Sequence, residues 1–125
     1  MTQHVAVWLD HREARIFEVA PEALHSEVVK PRAHPHEHGH RYHQTRHAEA
    51  EAKFYADVAA ALGHPDAVLV VGPGMAKLEF VRWLHDHAPS LEARVRGVET
   101  VDHPSDGQLL AYARHYFHEA ELPLR

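Results

Sequence analysis

Apolar residues along this chain change their period several times, and each change marks an element. Ala67 to Val71 (AVLVV) is an uninterrupted run, rich in β-branched residues and bounded by turn residues, as in a strand buried on both faces. Gly72-Pro73-Gly74 stops it. Leu78, Val81 and Leu84 then recur at helical spacing, in a stripe widened by Phe80 and Trp83. A strand covered on both faces needs helices on both sides of its sheet, and that requirement sets the class for the rest of the chain.

Before it, His4 to Leu9 predicts an apolar strand and Asp10-His11-Arg12 a polar turn. Glu13 to Val19 alternates, with Ala14, Ile16 and Glu18 on one face and Arg15, Phe17 and Val19 on the other, as the second arm of a hairpin. Pro21-Glu22 turns the chain into a third, more polar strand, Leu24 to Lys30, expected at the sheet edge. Residues 31–46 have no hydrophobic period and read as a loop. A helix follows from about His47 to Leu62, with Ala52, Tyr55, Ala59 and Leu62 on one face, ended by Gly63-His64-Pro65. Beyond the central strand and helix, Ala88-Pro89-Ser90 breaks the chain and Ala93 to Val101 forms a strand. Ser105 and Gln108 match a capping box for a last helix with Leu109, Leu110, Ala113, Tyr116, Phe117 and Ala120 inward. The order β-β-β-α-β-α-β-α predicts an α/β protein with a ribonuclease-H-like, mixed five-stranded sheet. Three antiparallel strands come first, and two more, each reached through a helix, lie parallel to the first.

Composition narrows this little, except at histidine. A chain of 125 residues fits one domain, 1–125, carrying the His-rich loop at 31–46. No apolar run is long enough to span a bilayer and no signal-peptide pattern opens the chain, so a cytoplasmic location and no membrane partner are expected. The absence of cysteine excludes disulfides and thiolate metal sites. Fifteen histidines outnumber the 13 lysines and arginines. With imidazole pKa values near ~6.5, lowering the pH to ~6 adds roughly eleven positive charges, enough to reverse the sign of the net charge. At pH 7 that charge is -5, which gives no strong attraction to nucleic acid.

Three segments carry a closer resemblance: WLDHREARIF (8–17), VGPGMAKLEFVRWL (71–84) and GVETVDHPSDGQLLAYARHYF (97–117). They look like a family of small bacterial proteins labelled "translational machinery protein". Through its fold, that family resembles the middle domain of eukaryotic and archaeal peptide-release factors and Pelota. The resemblance implies a ribonuclease-H-like fold and a translation-associated role, with RNA or a ribosome-associated protein as partner. Release factors carry a Gly-Gly-Gln loop where this chain has HEHGHRYHQ. Gly39 and Gln44 are present but the tripeptide is not, so peptidyl-tRNA hydrolysis is not implied.

Three sets of residues could carry chemistry. His34, His36, His38 and His40 alternate and would share one side of an extended chain, while His43 and His47 share a helix face. These imidazoles suit zinc, nickel or another divalent transition metal, and a solvated loop is the alternative. Asp10-His11 and Asp102-His103 each follow a strand pointing the same way, so both turns are expected at the carboxyl edge of the sheet, where α/β proteins place ligands. With Glu99 and Asp106 they offer carboxylates for a metal-dependent hydrolase or nuclease; the structural alternative is that Asp10 and Asp102 bond turn amides. Gly74 and Lys77, at the start of the central helix, offer an anion site without the spacing of a Walker motif. His115 and His118 share a face of the last helix, and Arg12, Arg15, Arg94 and Arg96 would form a basic patch if their strands were neighbours.

Overall fold

A computed structural model describes residues 3–19, 24–31 and 43–121. Five strands, β1 (His4–Leu9), β2 (Ala14–Val19), β3 (Leu24–Val29), β4 (Ala67–Gly72) and β5 (Val95–Thr100), form one sheet in the order β3-β2-β1-β4-β5. β1 pairs antiparallel with β2 and β2 with β3, whereas β1, β4 and β5 run parallel. Among the described residues, four helices accompany them: α1 (His43–Leu62), α2 (Ala76–His87), the single turn α3 (Pro89–Glu92) and α4 (Asp106–Glu121). The mixed sheet is the one expected from element order, with β3 at its edge.

Alternation along the strands divides the core in two. Val5, Val7, Leu9, Ala14, Ile16, Val68 and Val70 face α1, α2 and α3, meeting Phe54, Val58, Phe80, Leu84 and Leu91. Ala6, Trp8, Phe17, Leu69 and Val71 face α4, meeting Leu109, Leu110, Ala113 and Phe117. β4 is buried along its whole length because helices cover both of its faces. Gly72 ends it beside β1, where a Cβ would stand 2.2 Å from the Leu9 carbonyl oxygen. Gly63 takes φ 68° and closes α1, as its place after the apolar stripe predicts.

Each of two predicted helix stripes packs on the core with one member left exposed. In α2 the buried residues are Ala76, Lys77, Phe80 and Leu84, while Leu78 is 47% exposed. The Lys77 stem covers apolar surface and its ammonium turns back to donate to the Gly74 carbonyl. In α1, Phe54, Tyr55, Val58 and Leu62 are buried, whereas Ala52 is exposed. Both exceptions have one cause. Several neighbouring stripes have helical period, and the helix turns the one with most apolar volume towards the sheet. The break at Ala88 becomes a helical turn, because Pro89 sits at the first helical position, where its missing N–H costs nothing.

β5 has its own irregularity. Val68 pairs with Val95 but Leu69 with Gly97, so Arg96 is an extra residue in the ladder. The bulge lets Val95 and Val98, three apart, pack on the same core. The Arg96 carbonyl accepts from the Tyr116 hydroxyl at 3.0 Å, which closes the α4 side over Gly97.

Candidate functional site

At the carboxyl ends of the parallel strands, β1 and β5 deliver their polar turns side by side. Asp10 Oδ1 accepts from the backbone amides of Arg12 (2.7 Å) and Glu13 (2.9 Å), so half of this carboxylate holds the hairpin turn. Its other oxygen lies 3.9 Å from His103 Nε2. On the far side of the ring, His103 Nδ1 is 2.9 Å from Asp102 Oδ1. Trp8 sets this arrangement from below: its indole N–H donates to the Asp102 carbonyl at 2.8 Å, and its ring centroid lies 5.3 Å from that of His103. The edge thus joins Asp10, Asp102 and His103, beside a cleft of about 450 Å³ lined by Val101, Pro104, Gln108 and Tyr112.

The other acids of this edge are engaged. Glu99 accepts from the Tyr112 hydroxyl, and that bond, burial and the nearby carboxylate push the phenol up to about 12. Asp106 accepts from Arg15 Nη1 at 2.7 Å, and the Arg15 guanidinium carbon lies 4.4 Å from the Trp8 ring centroid. Ser105 and Gln108 exchange their capping-box bonds, at 2.9 and 3.2 Å, so the Ser105 hydroxyl is occupied as an N-cap.

His11 belongs to a different surface. Its Nε2 lies 2.9 Å from Glu79 Oε1, in the first turn of α2, and the Tyr55 hydroxyl of α1 donates to the same oxygen at 2.9 Å. Burial pushes the Glu79 carboxyl up, but the bonds from His11 and Tyr55 outweigh it and hold the group below its usual range. Burial, followed by the bond to Glu79, raises the Tyr55 phenol far above its ordinary value. Among the described residues, one group of three histidine or acidic side chains has its donor atoms within 4.8 Å of one another: His11, Glu51 and Glu79. Asp10, Asp102, Glu99 and Asp106 form no such group.

The remaining candidates are placed as follows. His34, His36, His38 and His40 lie outside the described residues, and His43 and His47 fall in the first turns of α1. Lys77 is 6% exposed and bonded to the Gly74 carbonyl of its own turn. His115 and His118 are exposed on α4. The four arginines make no common patch. β1 and β4 separate β2 from β5, Arg15 is paired with Asp106, and Arg94 precedes β5. Sequence reasoning missed Glu51 and Glu79 beside His11, and Tyr55 behind Glu79. The i, i+4 spacing of Glu51 and Tyr55 was its one local signal.

Strand order, direction and the two helical layers define a ribonuclease-H-like α/β domain, with its polar turns gathered at the carboxyl edge. Among solved structures the chain is similar to Pelota from Archaeoglobus fulgidus, at 18% identity and a TM-score of 0.60 over 96% of this chain and 34% of that one. It is likewise similar to Thermoplasma acidophilum Pelota, at 19% identity and a TM-score of 0.59 over 94% of this chain and 39% of that one. The archaeal translation termination factor aRF1 matches at 17% identity and a TM-score of 0.57, over 96% of this chain and 40% of its own. The chain therefore spans 34–40% of the length of these structures, and at such identities what they share with it is the fold. No protein-family model and no curated protein matches the chain.

Proposed function

We propose that this protein is a non-enzymatic accessory factor of translation that binds RNA or a ribosomal partner and does not hydrolyse peptidyl-tRNA. The observation that carries the reading is the match of 94–96% of the chain to Pelota and aRF1 structures. The missing Gly-Gly-Gln tripeptide supports the non-hydrolytic part. So does the carboxyl edge. A metal-dependent hydrolase needs carboxylates converging on shared ions, whereas here Asp10 holds amides, Glu99 holds Tyr112 and Asp106 holds Arg15.

Co-sedimentation of the purified full chain with ribosomes tests the proposal. The expected result is comigration at low salt that weakens as salt rises, because contacts to phosphate release counterions. Sedimentation free of ribosomes at low as well as moderate salt overturns it.

A further inference from the structure

We propose that the β1–β2 turn, α1 and α2 together form a binding site for a divalent transition metal, with His11 Nε2 and one carboxylate oxygen each from Glu51 and Glu79 as ligands. The site is separate from the histidine loop and does not depend on the ribosome reading.

Convergence is the first ground. The three donors come from three different elements, and their ligand atoms lie within 4.8 Å of one another. Zinc bonds of about 2.0–2.2 Å in a tetrahedron put ligand atoms roughly 3.3–3.6 Å apart. His11 and Glu79 already stand 2.9 Å apart, and their side chains are 52% and 42% exposed, so small rotations close the set. Charge balance is the second ground. Two carboxylates face each other across this site, and a divalent cation held between them and the His11 ring nitrogen balances both charges.

The third ground is the support behind the ligands. Tyr55 is 4% exposed and packs against Phe80, with ring centroids 5.9 Å apart, yet its hydroxyl reaches Glu79 Oε1. A ligating carboxylate oriented from behind by a hydrogen-bond donor is the usual construction of a metal site. One imidazole and two carboxylates suit zinc, manganese, cobalt or iron(II) rather than copper(I), which prefers sulfur. Three protein ligands on an exposed face leave a coordination position for water.

The test uses the full chain with His34, His36, His38, His40, His43 and His47 all replaced by alanine, which removes the competing imidazoles of the loop and the start of α1. Zinc is titrated against a chromophoric chelator, and cobalt(II) is followed by its visible absorption. The expected result is one zinc equivalent and a cobalt spectrum of low coordination number. Glu51→Gln and His11→Gln, each introduced into that background, are expected to weaken zinc binding at least tenfold. Tyr55→Phe acts through Glu79 and is expected to weaken it by about tenfold. Far-ultraviolet circular dichroism identifies the variants that remain folded. Because His11 is exposed on a turn, at least His11→Gln should be among them. Loss of all zinc binding with the loop histidines, or affinity unchanged in a folded His11→Gln or Glu51→Gln variant, overturns the proposal.

Discussion

A methyl group on Gly72 would meet the Leu9 carbonyl oxygen at 2.2 Å, whereas one on Gly74 would meet nothing within 4 Å. Gly72→Ala should therefore cost about 1–3 kcal/mol through forced separation of β1 from β4, and Gly74→Ala well under 1 kcal/mol. Urea unfolding of the two variants measures both. The Gly-Pro-Gly run announced a turn but could not say which glycine the packing needs, since the decisive neighbour is a backbone atom over sixty positions away. The Tyr112–Glu99 bond was equally hidden, because it joins α4 to β5. Its consequence has a definite sign. The folded-state phenol is raised from the ordinary 10.0 to about 12. Its stabilising effect is complete below pH ~10 and is lost as pH rises through about 12. The phenolate absorbance of the wild type minus that of Tyr112→Phe should show a midpoint near pH 12 rather than 10. By contrast, the turn-holding role of Asp10 was legible as an alternative in the sequence, since the amides that donate to it lie two and three residues ahead.

At the scale of elements, α2 is the sharpest test of how apolar pattern becomes packing. The predicted stripe of Leu78, Val81 and Leu84, widened by Phe80 and Trp83, is broader than the face the sheet covers. Packing buried Phe80 and Leu84 with Ala76 and the Lys77 stem, kept Val81 and Trp83 partly buried against the core, and left Leu78 outside. Phe80→Ala should cost about 3–5 kcal/mol. Leu78→Ser should stay within about 0.5 kcal/mol. Chemical denaturation of the pair measures how far the inward edge of the stripe outweighs its outer one. The capping box of α4 needed no such help. Ser105 and Gln108 satisfy each other's backbone amides within four residues, so the motif forms from local geometry alone. β5 lies between these cases. Val95 and Val98 do not alternate as a flat strand requires, and that mismatch was the sequence trace of the bulge at Arg96.

For the whole molecule, charge links the proposed role to pH. At pH 7 the formal charge is -5. Lowering the pH to ~6 protonates most imidazoles and reverses that sign, so affinity for ribosomes should rise at least severalfold between pH 7 and 6 and fall with added salt. Co-sedimentation across that range measures it. Affinity that is flat in both pH and salt would count against phosphate contacts. By itself, the sequence determined the order of the strands and the three long helices, the edge position of β3, the capping box and the class of sheet. Each depends on residues close along the chain, or on a period that repeats within one element. Only the tertiary structure decided the rest. It chose which edge of the α2 stripe faces inward, split the two Asp-His pairs by turning His11 towards Glu79, and kept β2 and β5 apart so that their arginines share no patch. It also brought His11, Glu51 and Glu79 together. These depend on distances between residues remote in sequence, and sheet order and helix rotation fix those distances, whereas spacing along the chain does not.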